Sequence, residues 1–186
     1  TKDLNNYNPY TTATVMSSGW MFNIPVWGRH GNGYIYDSNI INETQAQEEV
    51  EKKLKHKIEV RKQIKFTPGY LDKSWIKNCF AVGLSANFVE PLEASSIGTS
   101  IQSAYLLSHY LSNYNQKTID RYNETIEKIM LNIRDFISMH YITNRKEKFW
   151  REQTFPDSLK DRLDLFKTRL PIREDFESTQ YLLFYE

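Results

Sequence analysis

Cys79 is the one cysteine in 186 residues, which excludes an intrachain disulfide framework. A catalytic thiol has no support either, because no histidine and basic partner is placed for it in the sequence. Cys79 stands just before an apolar run, so a buried structural thiol is expected. No apolar stretch approaches the roughly 20 residues needed to cross a bilayer. No signal peptide is visible. These absences lead to the expectation of a cytoplasmic chain without membrane association. An excess of one charge is also missing: 24 Lys and Arg face 23 Asp and Glu, for a net charge of +1. That argues against a nucleic-acid partner held by phosphate neutralisation. Basic residues do cluster in 52–65, but Glu49, Glu51 and Glu59 break the run, and a solvated helix face followed by a strand explains it.

Several site signatures are missing as well. His30, His56, His109 and His140 are scattered, without the paired spacing that ligates zinc or iron, so no metal site is expected. No G-x-S-x-G elbow occurs, since Gly83-Leu84-Ser85 lacks the second glycine. Neither G-x-G-x-x-G nor G-x-x-x-x-G-K-[ST] is found; Gly31-Asn32-Gly33 reads as a turn followed by tyrosines and not by a helix.

What is present is enough apolar material for a core, at 40% apolar and 14% aromatic residues. The length fits one domain or a large part of a bigger one. The polar start, TKDLNNYNPYTT, lacks an initiator Met, and the expectation is that the chain begins inside a longer reading frame. Residues 12–26 have strand character, and Trp20, Phe22 and Ile24 share a face by period-two spacing. Pro25 discourages continued central pairing. Val26-Trp27 and Tyr34-Ile35-Tyr36 flank a Gly/Asn cluster and predict a hairpin. Asn42 with Gln45 forms a capping pair for a charged helix to about Lys57. Val60, Ile64 and Phe66 predict a strand closed by Thr67-Pro68-Gly69. Trp75-Ile76 and a strand over 80–84 follow.

The second half reads as helical. Ile119, Tyr122, Ile126, Ile129, Ile133, Phe136, Ile137 and His140 step by three and four along a long helix. His140 on this stripe is expected to be a hydrogen-bonded core histidine. Leu159, Leu163 and Phe166 align on a short helix over 157–167, which Pro171 stops, and a last helix or ordered tail is expected over 172–186. The fold class is therefore α+β, with mixed strands and helices in 1–92 and helices in 93–186.

Residues 78–97, NCFAVGLSANFVEPLEASSI, carry the most chemistry. An apolar run ends in a small-residue turn at Asn87-Phe88, and a helical pattern (Ile97, Ile101, Ala104, Tyr105, Ser108) begins after Ser95. Such a junction aims backbone N–H groups at one spot that suits an anion or a cofactor. Glu93 beside it is a candidate for proton chemistry. The plainer alternative is scaffold, with Glu93 complementing the helix dipole.

This segment closely resembles the signature of the flavin-dependent tryptophan halogenase family. Gly19-Trp20-Met21-Phe22-Asn23-Ile24-Pro25 is similar to that family's W-x-W-x-I-P box, with Phe22 in place of the second Trp. Arg134-Asp135-Phe136-Ile137, His140-Tyr141, Arg145 and Phe149-Trp150 resemble a later family pattern. The pieces occur in family order. They cover the C-terminal part of a family member; its FAD-binding βαβ unit, with G-x-G-x-x-G and an oxidant-handling lysine, would lie upstream and is absent from this sequence.

The resemblance implies a halogenase that uses reduced FAD (FADH2), oxygen and chloride or bromide to make a hypohalous acid, which travels through a tunnel to an indole or tryptophan-like aromatic. It implies a flavin reductase as partner and admits a homodimer. Glu93 matches the essential glutamate. Leu84 and Ile97 match positions whose backbone lies against the flavin. Ser95 and Ser96 match the halide-holding Thr-Gly pair, with Ser96 a departure from Gly. Trp20, Phe22 and Ile24 would crowd the flavin–substrate passage. Tyr141 and Trp150 match the aromatic surroundings of the substrate, at a spacing shorter than in tryptophan-specific members. The chain alone is not expected to turn over or to hold FAD tightly. A non-catalytic remnant or interaction module is the alternative, against which the joint presence of Pro91, Glu93 and the turn speaks. A related flavin monooxygenase is a third reading; Trp20 and the Pro91-Leu92-Glu93 turn argue against it.

Overall fold

A computed structural model describes residues 9–170 and residue 172. Its strands are β1 (Thr12–Met16), β2 (Gly19–Val26), β3 (Arg29–Tyr36), β4 (Gly69–Tyr70), β5 (Trp75–Ile76), β6 (Cys79–Phe80) and β7 (Asn87–Phe88). Its α-helices are α1 (Glu43–Leu54), α2 (Ser95–Tyr110), α3 (Gln116–Met139), α4 (Lys148–Arg151) and α5 (Asp157–Thr168). The mixed first half and helical second half agree with the α+β expectation. The tail expected over 172–186, and Pro171, fall outside the described residues apart from Ile172. None of the described helices is long and apolar enough to cross a membrane.

The chain divides into two compact units: Thr1–Lys65 with Tyr141–Thr154, and Phe66–His140 with Phe155–Glu186. The first unit is built on the antiparallel sheet β1-β2-β3. The strand character of 12–26 resolves into two strands, with Ser17-Ser18 as the turn. Pro25 is tolerated because β1 pairs with β2 only as far as Asn23, so Pro25 faces β3 alone. The second hairpin turns at Trp27-Gly28, so Gly31-Asn32-Gly33 is strand and not the expected turn. Gly33 sits opposite Phe22, whose ring covers it: a Cβ there would lie 2.1 Å from Phe22 Cζ.

Helix α1 starts at the Asn42–Gln45 capping box read from the sequence and ends at Leu54, a little before Lys57, where Lys55 takes a left-handed conformation. Met16, Met21 and Val50 form a buried cluster, with Tyr34, Leu54 and Ile58 against it. The Glu49 carboxylate accepts from Ser17 N at 2.6 Å, Ser17 Oγ at 2.9 Å and Tyr34 Oη at 2.8 Å. One side chain of α1 thereby pins the β1–β2 turn, and burial beside this carboxylate raises the Tyr34 phenol above its ordinary range. The strand expected over 60–66 does not form: no strand is assigned between Lys55 and Pro68. Val60 and Ile64 are exposed, so the run has neither a pairing partner nor a core to enter.

In the second unit, Asn115 caps α3 by accepting from Thr118 N at 3.0 Å. The stripe read from the sequence is its buried face, including Ile119, Tyr122, Ile126, Ile129, Ile133 and Ile137. Trp75 and Phe80 pack on Tyr122 with ring centroids 5.6 and 5.1 Å away. The Asn123 amide holds the β5 backbone, accepting from Trp75 N and donating to Trp75 O, both at 2.9 Å.

The structure differs from three local expectations. The strand over 80–84 reduces to Cys79–Phe80; Gly83–Ser85 is a 3-10 turn entered through Gly83 at φ +64° and closed by Ser85 Oγ, which donates to Val82 O at 2.8 Å. Asn87-Phe88 is not a turn but β7, paired with β4. Cys79 is exposed, because the short β6 leaves it at the surface.

Candidate functional site

The Glu90–Ser96 segment is shaped by two local contacts. Ala94 N donates to Pro91 O at 3.1 Å, closing a turn around Leu92 and Glu93. Ala94 then takes a left-handed conformation, φ 50° and ψ 30°, as the N-cap of α2. An alanine there is strained, and it brings no side-chain acceptor to the first-turn N–H groups. Ser95 and Ser96 are the first two helical residues, both half-buried. Thr99 Oγ1 anchors the helix to β7 through buried Asn87 Oδ1 at 3.1 Å.

The helical pattern read from the sequence is borne out as α2, and its apolar residues Ile97, Ile101 and Tyr105 are exposed, at 73%, 65% and 52%. The buried side is Thr99, Ser103 and Leu106. Small polar residues let the helix approach its neighbours closely, and their hydroxyls find local acceptors. Leu84, in the 3-10 turn, is 72% exposed. That turn lies against α2, where a Cβ on Gly83 would meet Ser100 Oγ at 3.6 Å. Leu84 and Ile97 therefore belong to neighbouring elements of the same unit, both open.

Glu93 has a partner that the sequence did not announce. His140 Nε2 lies 3.0 Å from Glu93 Oε1. His140 follows α3 as its C-cap and is not the core histidine expected: its side chain is 33% exposed, against 37% for Glu93. The expectation that it is hydrogen-bonded holds, with Nδ1 3.0 Å from Phe136 O. The His140-Tyr141 pair was visible in the sequence, but only the packing of α2 against α3 brings the imidazole to Glu93.

The remaining candidates lie in the first unit. Trp20 is buried and its Nε1 donates to Tyr141 Oη at 3.0 Å. Trp150 is buried and its Nε1 donates to Met16 O at 2.7 Å. Both indole N–H groups are thus engaged within this unit. Tyr141 and Trp150 have ring centroids 5.8 Å apart, and Trp20 and Phe22 6.2 Å. Phe22 is half-buried over Gly33, and Ile24 is exposed. No group of three or more His, Cys, Asp or Glu able to hold a metal is found among the described residues.

The family model for tryptophan halogenase matches residues 1–186. The chain belongs to the tryptophan halogenase family. It is 31% identical over 173 residues to Tryptophan 7-halogenase KtzQ of Kutzneria sp. (strain 744), covering 88% of this chain and 32% of that protein. It is 33% identical to Tryptophan 7-halogenase RebH of Lentzea aerocolonigenes, covering 91% and 34%. Among solved structures it is similar to Xcc4156, a flavin-dependent halogenase from Xanthomonas campestris, at TM-score 0.83 and 30% identity over 92% of this chain and 36% of that one. The tryptophan halogenase of Shewanella frigidimarina NCIMB 400 gives TM-score 0.82 and 30% identity, over 94% and 36%. This tryptophan halogenase family chain spans about a third of the length of the curated relatives it matches.

Proposed function

We propose that the chain is the C-terminal part of a flavin-dependent halogenase acting on an indole or similar electron-rich aromatic, and that it carries the proton acceptor and the halide seat. The observation that supports this most is the run of Glu93, Ala94, Ser95 and Ser96. A carboxylate immediately precedes a 16-residue helix whose N-cap is a left-handed alanine without a capping side chain. First-turn N–H groups without a side-chain cap suit a small anion, so these residues fit a halide. The open side chains of Leu84 and Ile97 fit one face of a flat ring system such as the flavin. Nothing in the sequence fits its pyrophosphate, for which a glycine-rich loop is needed.

Reduced FAD with oxygen supplies, when bound, the oxidant that converts halide into an electrophile. The first-turn amides of Ser95 and Ser96 hold the halide, and Ser96 adds a Cβ where the family signature has glycine. The backbone at Leu84 and Ile97 would lie against the ring system. Glu93 would hydrogen-bond the oxidant. A π pair of the aromatic ring would form the carbon–halogen bond to the electrophile; as the C–H bond at that carbon breaks, its electron pair returns to the ring and its proton goes to the Glu93 carboxylate. The resemblance gives Trp20, Phe22 and Ile24 the lining of a substrate passage, and Tyr141 and Trp150 the aromatic surroundings of a substrate. A flavin reductase supplies the reduced cofactor.

The test supplies the protein at its natural full length with reduced FAD, oxygen, bromide or chloride, and a panel of indoles. The expected result is a product bearing the isotope pattern of the supplied halogen. A halide-independent oxygenated product would assign a monooxygenase instead. Bound flavin with no product from any indole would favour the non-catalytic reading.

A further inference from the structure

We propose that His140 is the positioning residue of Glu93, and that the two side chains hold one proton between them. The inference rests on the reading of Glu93 as the proton acceptor. His140 Nδ1 faces Phe136 O at 3.0 Å, and a carbonyl oxygen only accepts, so Nδ1 carries a hydrogen. Nε2 faces Glu93 Oε1 at 3.0 Å. A bare Nε2 against a bare carboxylate would set two lone pairs against each other. A hydrogen must therefore lie on that line, as imidazolium with carboxylate or as neutral imidazole with carboxylic acid. The two forms contain the same number of protons and differ only in which atom carries this one.

The ring is held for this task by its own helix. Phe136 is four residues back on α3, so its carbonyl lies beneath the imidazole, and its ring meets His140 edge-on with centroids 5.0 Å apart. Stability is a poor explanation for the contact. Both side chains are about a third exposed, and an ion pair so open to solvent adds little to stability. What the contact does is commit Oε1 and leave Oε2 as the atom that takes the substrate proton. When Oε2 receives it, the pair carries two protons, one on the carboxyl group and one completing the imidazolium. One proton must leave to solvent before the next turnover, and both side chains, about a third exposed, are open to it.

The experiment uses the full-length protein with 15N-labelled histidine, the His140 signals being assigned by their loss in His140→Gln. The expected result is Nδ1 protonated throughout, with the neutral ring in the Nδ1–H form, opposite to the form favoured in water. A neutral ring in the Nε2–H form would overturn the proposal. The second arm is kinetic. His140→Gln can hydrogen-bond Oε1 but cannot carry the extra proton, and it should lower kcat by about ten- to a hundredfold with KM within about twofold. His140→Phe should lose more. An unchanged kcat, or a rise in KM alone, would also overturn it. Absence of halogenation by the unmutated protein would instead refute the activity reading, and the labelling arm would still report on the pair.

Discussion

The indole N–H of Trp20 donates to the phenol oxygen of Tyr141 at 3.0 Å, tying the second strand to the segment that follows the long helix. Trp20 is buried, so its N–H has no water to fall back on. Tyr141→Phe should cost about 1–3 kcal/mol, the cost of an orphaned buried donor. Denaturant unfolding checks this, and a variant as stable as the parent would mean that the bond contributes nothing net.

Gly33 gives a second case, set by shape. Gly33→Ala puts a methyl group 2.1 Å from Phe22 Cζ, so the ring must swing away. The expected loss is about 1–3 kcal/mol, typical of overpacking. Adding Phe22→Leu should restore most of it. Thermal melts of the single and double variants decide, and additive losses would show that the strain lies elsewhere.

Tyr122 sets an alkaline limit. Burial pushes its phenol up to about 12 from an ordinary 10.0. The folded state then keeps a proton that the unfolded state releases, so stability is full below pH about 10 and falls as pH rises towards about 12. Unfolding followed across this window should lose stability in the parent and less in Tyr122→Phe. An equal loss in both would remove Tyr122 as a cause.

The two faces of α2 should answer differently to substitution. Ile101 is 65% exposed whereas Leu106 is buried. Ile101→Lys should stay within about 0.5 kcal/mol, and Leu106→Ala should cost about 2–4 kcal/mol. Chemical denaturation of the 186-residue chain checks this; the reverse order would mean that the Ile101 face is the packed one.

The long amphipathic helix α3 was legible because Ile119, Tyr122, Ile126 and Ile133 mark its buried face unambiguously. The Asn42–Gln45 cap was legible because both members lie within four residues. Helix α2 was legible as a helix but its packed face was not, since Ile97, Ile101 and Tyr105 form an apolar stripe that this chain leaves open, and hydropathy alone does not distinguish a packed stripe from an open one. The run over 60–66 misled for a related reason: β propensity needs a partner strand. At the candidate site, the junction itself makes Glu93 a candidate, and Ser95 and Ser96 are candidates through motif resemblance. Neither His140 as partner of Glu93 nor the Glu49 clamp on Ser17 could be read, because each joins residues far apart in sequence through tertiary packing.

Glu93→Gln in the full-length protein is the most direct test of the account. Gln keeps the shape and the hydrogen bonding but cannot accept the aromatic proton. The account predicts a fall in halogenation rate of about 10²- to 10⁴-fold with folding and flavin binding nearly unchanged. A variant that keeps more than about half of the parent rate would contradict it, and would leave Glu93 as a helix-dipole or packing residue.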